Sequence, residues 1–188
     1  STAVNIEGTL NVLLAARDED VRRVVFASSS SVYGDGGSFP RVETAAPNPI
    51  SPYAVAKLAA ERYCVSFHRV YGLETVALRY FNVFGPNENH NGDMRSLVNK
   101  AFEQIRDTGK LQLFKSADPK YKDGEFGRDF VYVKDAVDMT LFFMENDASG
   151  LFNAGSGRMN TWNALADAIF TALDLPPRVE FIEMPEHL

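Results

Sequence analysis

The sequence predicts an α/β fold built on a parallel sheet, and three observations support this. Short apolar runs alternate along the chain with segments whose apolar residues recur at helical spacing, which is typical of strands alternating with helices. The apolar run that begins after Arg23 is continuous rather than alternating in polarity, as expected for a strand buried on both faces. The segments between them are rich in Gly and Pro, which mark loops.

In the first part of the chain, apolar residues at helical spacing indicate a helix around Leu10 and Leu14. An apolar run that ends in serines then indicates a buried parallel strand. Pro52 suits the first turn of a helix, where its missing N–H costs nothing. The predicted elements are a helix over 5–17, a strand over 23–28, a loop over 34–52, a helix over 53–71 and a strand over 74–80.

In the second part, Val98, Phe102 and Ile105 belong to one apolar helix face. Thr161 is a suitable N-cap for a later helix, because its hydroxyl can accept from the first free backbone N–H groups. The predicted elements are helices over 95–107, 135–145 and 161–173, strands over 111–114, 130–133, 151–153 and 178–182, and a polar loop over 118–127.

A tyrosine, a lysine and a serine are the candidate catalytic residues. Tyr53 and Lys57 lie one helical turn apart on one face, and a nearby ammonium favours the deprotonated phenol. Tyr53 is therefore suited to acid/base work near neutral pH. One of the serine hydroxyls at the end of the preceding strand, among residues 28–31, would bridge Tyr53 to a substrate oxygen. The residues alone leave the choice among Ser28, Ser29 and Ser30 open. Such a set can move a proton on or off a sugar hydroxyl while a nicotinamide takes or returns hydride.

Composition narrows the class of protein. The chain has 188 residues, of which 45% are apolar and 23% are charged, as in ordinary globular proteins. Its net charge of −6 argues against a nucleic-acid partner. The lone Cys64 permits no internal disulfide, which favours a cytoplasmic location. No apolar run approaches about 18 residues, so we expect no membrane span, and we expect no metal site.

A series of short segments carries a family resemblance. They are residues 4–9, 27–29, 32–34, 51–53, 57, 79–83, 85–88, 92–94, 113–116, 128–135, 161–163 and 184–186. These segments resemble the extended short-chain dehydrogenase/reductases, in their nucleotide-sugar epimerase branch. From about Gly85 onward the chain is similar to the ADP-L-glycero-D-manno-heptose 6-epimerases. The first 84 residues are more similar to the UDP-glucose 4-epimerases.

The resemblance implies a fold, a cofactor and a set of site residues. The fold is the second half of a Rossmann-like doubly wound parallel sheet with a smaller α/β substrate lobe, and the cofactor is NADP or NAD. Tyr53, Lys57 and Val83 would bind the cofactor, and the substrate is a nucleotide sugar. Catalysis would use Ser29, Tyr53 and Lys57, and the implied substrate-binding residues are Ser29, Asn82, Asp93, Lys100, Phe114, Lys115, Ser116, Ala117 and Arg128. The family also implies a homo-oligomer.

Arg128 is the candidate residue for binding a pyrophosphate. The guanidinium of Arg128 offers a bidentate fork that matches a pyrophosphate.

The nucleotide-binding half of the fold needs a first strand and a Gly-rich turn, and we expect these in roughly 80 residues upstream. Residues 155–160 come nearest to such a turn, but they lack its third glycine and are interpreted as an ordinary turn.

By this resemblance, residues 1–84 form the C-terminal part of the NAD(P)-binding domain. Residues 85–188 form mainly the substrate-binding lobe, with the helix over 135–146 packing back on the first part.

Two departures from the family pattern bear on the reaction. Ser30 and Ser31 stand where related dehydratases carry an Asp-Glu pair, which disfavours removal of water. Asn91 stands where the heptose epimerases hold a lysine that acts as a second acid/base, and an amide exchanges no proton near pH 7. Three hypotheses follow: epimerisation like that of the ADP-heptose 6-epimerases, a UDP-hexose 4-epimerase, or an inactive fragment or scaffold without its own cofactor site.

Overall fold

The computed structural model describes residues 2–35, 40–88, 92 and 94–185. The strands are β1 (Arg23–Ser29), β2 (Glu74–Tyr80), β3 (Asn82–Phe84), β4 (Leu111–Phe114), β5 (Gly127–Arg128), β6 (Phe130–Tyr132), β7 (Gly150–Ala154), β8 (Asn160–Thr161) and β9 (Val179–Ile182). The helices are α1 (Thr9–Asp18), α2 (Pro52–Tyr71), α3 (Leu97–Thr108), α4 (Val133–Glu145) and α5 (Trp162–Ala172).

The chain divides into two compact units. The first comprises Ser1–Phe81 and Lys134–Gly155, and the second comprises Asn82–Val133 and Ser156–Leu188. Each unit contains parallel strand pairs together with helices. The predicted α/β class with parallel strands is therefore confirmed.

The first unit is built on a parallel sheet in the order β1-β2-β7. The register aligns Ser29 with Tyr80, and Tyr80 with Ala154, so the carboxyl ends of all three strands meet at one edge. That edge is where open α/β sheets gather their ligands. Ser29 therefore lies at the position in the fold where a reacting group is expected.

Helix α2 carries the candidate catalytic residues, and its start is set by local chemistry. The Ser51 hydroxyl accepts a hydrogen bond from the Ala54 N–H at 3.1 Å, and Pro52 occupies the first turn. The helix ends at Gly72, whose φ of 74° is readily reached only by glycine. Its buried face combines small side chains with Phe67 and the charged Glu61, and it packs on β1 and β2.

The N-terminal helix differs from its predicted form. Residues Ala3–Gly8 are wound as a π-helix that continues into α1. The Thr9 hydroxyl donates to the Asn5 carbonyl at 2.9 Å, and such a side-chain bond competes with the ordinary backbone ladder. Helix α1 still turns Leu13 and Ala16 inward, where they pack with Cys64, Phe67 and Leu73.

The second unit has its core between α3 and α5. This core contains Ala101, Ile105, Leu111, Leu113, Ala166, Ile169 and Phe170. Strands pair as β3-β6 and β4-β9, both parallel, and β5-β8, antiparallel. Strands β3, β5 and β8 were not predicted, because two or three residues give no periodicity to read. Helix α3 begins two residues later than predicted because the Ser96 hydroxyl caps the Asn99 N–H at 3.2 Å.

The described residues contain neither a helix suited to crossing a membrane nor a metal-binding cluster. Over these residues, no helix combines the length and apolar character needed to cross a bilayer. The same residues contain no cluster of three or more His, Cys, Asp or Glu side chains that could hold a metal ion.

Candidate active site

Lys57 is anchored to the end of strand β1. Its Nζ donates to the Ala27 carbonyl oxygen at 2.9 Å and lies 5.7 Å from the centroid of the Tyr53 ring. Burial lowers the pKa of Lys57 from its ordinary value. Because an ammonium has three N–H donors, two remain for a ligand after the bond to Ala27. The residues present thus fit one part of a dinucleotide, the hydroxyls of its nicotinamide ribose.

Tyr53 lies one turn before Lys57 and is 44% exposed. A tyrosine that served only the core would be covered, as Tyr33 is at 3% exposure. The pairing of Tyr53 and Lys57 on one helix face follows from their spacing. The structure adds that this face lies beside β1, through the Lys57–Ala27 bond.

The four serines at the carboxyl end of β1, residues 28–31, have different roles. The Ser29 hydroxyl accepts from the Ser31 N–H at 3.2 Å and from the Ser31 hydroxyl at 2.9 Å. With both lone pairs engaged, the proton of Ser29 is what the group can offer to a ligand oxygen. Ser28 is only 4% exposed and donates to Glu61 at 2.5 Å. Of the serines that sequence reasoning left ambiguous, Ser28 therefore serves the interior.

A buried ion pair lies next to this group. Arg79 of β2 and Glu61 of α2 are 1% and 3% exposed, and they are joined by bonds of 2.9 Å and 2.7 Å. Burial alone would lower the pKa of Arg79, but its bonds to Glu61 and its closeness to Tyr33 raise it instead. Sequence reasoning missed this pair. The signals were a charge inside an apolar strand and a glutamate one turn after Lys57.

In the second unit, Asn82 and Val83 line a cavity of about 350 Å³. The Asn82 side-chain amide donates to the Asp129 carbonyl at 3.0 Å, which ties β3 to the residue before β6. Its amide oxygen is not part of that bond. Phe84, Leu97, Phe130 and Trp162 supply an apolar part of the cavity wall.

Glu88 also lines this cavity, and sequence reasoning gave it no role. Its carboxylate accepts from the Gly85 N–H at 2.9 Å, the Ser96 N–H at 2.6 Å and the Ser96 hydroxyl at 2.9 Å. Burial raises the pKa of Glu88, but these hydrogen bonds outweigh it and hold the pKa below the usual range. Glu88 thus joins the turn after β3 to the first turn of α3.

The predicted nucleotide-binding stretch begins at the end of β4. Phe114 is 42% exposed at the strand end. Lys115 pairs with Glu183, and this hydrogen bond raises its pKa. The Ser116 N–H donates to Asp123 at 2.8 Å, and Ala117 is exposed. An exposed ring beside polar groups is compatible with stacking against a nucleotide base, and the role of the stretch stays a prediction.

Arg128 is exposed, with its guanidinium carbon 4.2 Å from the centroid of the Phe126 ring. The next residue, Asp129, binds the Gly-rich turn: it accepts from the N–H groups of Ser156 at 2.8 Å and Gly157 at 2.9 Å. Because these amides are committed to a carboxylate, the turn is not built to cradle a pyrophosphate. The interpretation of residues 155–160 as an ordinary turn agrees with this geometry.

The structure brings some predicted residues together and leaves others unplaced. Ser29, Tyr53 and Lys57 all belong to the first unit, and the other described candidates belong to the second. Lys100 lies half-buried on α3. Asp93, predicted to bind substrate, and Asn91, which replaces the family lysine, both lie outside the described residues.

Comparison with known proteins gives consistent matches. Residues 2–155 match the NAD dependent epimerase/dehydratase family. The ADP-L-glycero-D-manno-heptose-6-epimerase of Nitratidesulfovibrio vulgaris is 41% identical over 170 residues, which cover 88% of this chain and 52% of that protein. The chain therefore spans about half the length of the curated relatives it matches.

Solved structures of two kinds of epimerase have the same fold. A UDP-N-acetylglucosamine 4-epimerase from Methanobrevibacter ruminantium matches with a TM-score of 0.89 and 34% identity, over 98% of this chain and 57% of that one. The ADP-L-glycero-D-manno-heptose-6-epimerase of Helicobacter pylori matches with a TM-score of 0.84 and 28% identity, over 96% of this chain and 54% of that one.

Proposed function

Since the chain belongs to the NAD dependent epimerase/dehydratase family, we propose that it epimerises a nucleotide sugar by reversible hydride transfer, in the manner of an ADP-L-glycero-D-manno-heptose 6-epimerase. The observation that carries the proposal is the Lys57–Ala27 bond of 2.9 Å, which fixes the Tyr53–Lys57 face of α2 beside the strand that ends in Ser29. The 41% identity to the heptose epimerase favours this substrate class.

In this proposal the first unit performs the chemistry. A bound nicotinamide dinucleotide, NADP or NAD, would accept hydride and return it. Tyr53 takes the proton of the sugar hydroxyl and later gives it back, as a general base and then a general acid. The Ser29 hydroxyl donates a hydrogen bond to the same oxygen, which holds that oxygen in place. Lys57 keeps a positive charge near the phenol and donates to the ribose hydroxyls. The family resemblance also assigns Val83 to cofactor binding.

The second unit binds the nucleotide sugar in this proposal. Arg128 contributes a bidentate contact to the pyrophosphate, and Phe114 offers its exposed ring to the base. The remaining substrate contacts are assigned to Ser29, Asn82, Asp93, Lys100, Lys115, Ser116 and Ala117. Residues 1–84 are thereby the end of the cofactor-binding domain, and residues 85–188 mainly the substrate lobe.

We also propose a setting for this activity. The lone Cys64 is 1% exposed and the net charge is −6, which support a cytoplasmic protein with no nucleic-acid partner. Val12 on α1 is 58% exposed, and Val55 and Tyr63 on α2 are 51% and 37% exposed. Exposed apolar side chains on two neighbouring helices support association into a homo-oligomer.

A UDP-hexose 4-epimerase is the second candidate. The match to the UDP-N-acetylglucosamine 4-epimerase has both the higher TM-score and the higher identity of the two structures compared above. Asn91 in place of a lysine also favours an enzyme that works with one acid/base and a substrate that rotates.

The test supplies the purified chain with NADP or NAD and with either ADP-L-glycero-D-manno-heptose or UDP-galactose, and follows each sugar by NMR. The proposal predicts formation of the 6-epimer from the ADP-heptose. Turnover of UDP-galactose alone would establish the second candidate. A folded chain that binds neither NADPH nor NADH, measured by nicotinamide fluorescence, would refute both and leave the scaffold hypothesis.

A further inference from the structure

A hydrogen-bonded network runs through the interior of the first unit, directly behind Lys57 and Ser29. Its centre is the pair of Glu61 and Arg79, which are joined by two hydrogen bonds of 2.9 Å and 2.7 Å, one to each carboxylate oxygen. Both side chains are more than nine-tenths buried. A charged pair at this depth is costly to desolvate unless it is well hydrogen-bonded. Here the pairing is bidentate, while the remaining nitrogen of Arg79, Nη1, is buried without a hydrogen-bond partner among the described residues.

Two hydrogen bonds connect helix α2 to strand β1 at successive helical turns. Lys57 donates to the carbonyl of Ala27, and one turn later Glu61 accepts from the hydroxyl of Ser28. These two bonds connect neighbouring residues of β1 to residues four apart on α2. The position of the helix along its own axis, and its rotation about that axis, are therefore both specified against the strand that ends in Ser29.

The far side of the network is fixed to the rest of the sheet. The guanidinium carbon of Arg79 lies 4.6 Å from the centroid of the buried Tyr33 ring. The Tyr33 hydroxyl donates to the Asn153 side chain on β7 at 2.6 Å, and the Asn153 N–H donates to Glu43 at 2.7 Å. Arg79 of β2 therefore contacts Glu61 of α2 and Tyr33, which ends the short helical turn after Ser29.

From this arrangement we infer that Glu61 and Arg79 are positioning residues, which hold Tyr53 and Lys57 of α2 at the correct place beside Ser29. The inference rests on the proposed function for its consequence in catalysis. Both side chains are buried, so neither can touch a ligand bound at the exposed face of α2. Their effect on catalysis is exerted through the position of α2 beside β1, where Glu61 binds Ser28. Apolar side chains of similar volume would fill the same space without fixing the axial position of α2.

Variants that replace the ion pair by apolar side chains of similar volume test this inference. Replacing a whole buried ion pair by apolar residues is often neutral for stability, whereas removing one partner is not. The double substitution Glu61→Leu with Arg79→Met therefore tests whether the pair fixes the position of α2, with little expected loss in the free energy of unfolding. Ser28→Ala removes only the hydrogen bond from Ser28 to Glu61. Arg79→Lys keeps the positive charge but loses the bidentate geometry. Phe67→Leu, a buried site on the same helix outside the network, is the matched control.

The primary readout is the titration of the Lys57 amine, followed by the ¹³Cε shift in labelled protein and assigned with Lys57→Arg. Partial burial lowers the pKa of Lys57 from its ordinary value. The inference predicts that the double variant, Ser28→Ala and Arg79→Lys each move this titration towards the ordinary value, while Phe67→Leu leaves it in place. Any of these network variants that is folded by circular dichroism and titrates like the wild type overturns the inference.

This readout separates the inference from the proposed function, because it needs neither cofactor nor substrate. A shifted titration in a chain without turnover would support the positioning role and refute the activity. In an active protein, the same variants are expected to lose kcat on the order of 10- to 100-fold with KM unchanged. Equal losses in Phe67→Leu would show instead that general destabilisation is the cause.

Discussion

The carboxylate of Glu88 is expected to stabilise the second unit, and Glu88→Gln tests this. Glu88 accepts three hydrogen bonds, from the Gly85 N–H, the Ser96 N–H and the Ser96 hydroxyl. A hydrogen bond to a charged group contributes about 1.5–3 kcal/mol. Glutamine keeps one acceptor oxygen and turns an NH₂ group towards a donor, so at least one of these bonds is lost. We therefore expect a loss of about 2 kcal/mol near pH 7.

The pH dependence of this loss has a defined sign. Hydrogen bonds hold the pKa of Glu88 below its usual range in the folded chain. A carboxyl with a depressed folded-state pKa stabilises fully above its unfolded value of about 4.3. That stabilisation disappears as the pH falls through the folded-state value. The difference between the wild type and Glu88→Gln should therefore be largest near neutral pH and shrink under acid.

Urea unfolding at a series of pH values measures the difference. With a slope of about 1–3 kcal/mol per molar urea, the expected loss lowers the midpoint by roughly 1 M at pH 7. Glu103→Gln is the matched control, because Glu103 pairs with Arg95 in the same unit but is 33% exposed. A partly exposed pair of this kind is expected to contribute about 0.2–1 kcal/mol. Equal losses for the two variants, or a Glu88→Gln loss that does not change with pH, would refute the reasoning.

Three further predictions concern binding and folding. Arg128→Ala should weaken nucleotide-sugar binding about 10- to 100-fold by calorimetry, since it removes charge-assisted bonds worth about 1.5–3 kcal/mol; restoration by Arg128→Lys to full affinity would contradict a bidentate contact. Phe170→Ala, at a 0% exposed site in the α3–α5 core, should cost about 3–5 kcal/mol in urea unfolding. Gly34→Ala should destabilise the first unit by more than the ~1–3 kcal/mol of a strained φ, because its Cβ would lie 1.7 Å from the Asn48 carbonyl oxygen and φ is 63°. A wild-type unfolding midpoint in either of the last two variants would contradict the packing described above.

Elements with a long pattern or a clear terminal signal could be predicted from the sequence. Strands β2 and β4 have the predicted bounds, because each is a mainly apolar segment between a helix and a loop. Helix α2 begins where Pro52 placed it. The family resemblance was also confirmed, since its motifs are distributed over nearly the whole chain.

What could not be predicted depends on contacts between residues distant in sequence. Strand β3 exists because it pairs with β6, and no pattern within three residues indicates that partner. The burial of Glu61 depends on Arg79, which lies on another element. Asp129 was part of a recognised motif, but its bonds to Ser156 and Gly157 appear only when the chain is folded.

The most direct test of the central claim is epimerisation of ADP-L-glycero-D-manno-heptose by the wild type and by Tyr53→Phe, with added NADP or NAD. Tyr53 is 44% exposed, so the substitution should leave folding unchanged. Removing the phenol should lower turnover by about 10²- to 10⁴-fold, the usual contribution of a general acid/base. Equal turnover by the two proteins would contradict the account, because the proton would then pass through another group.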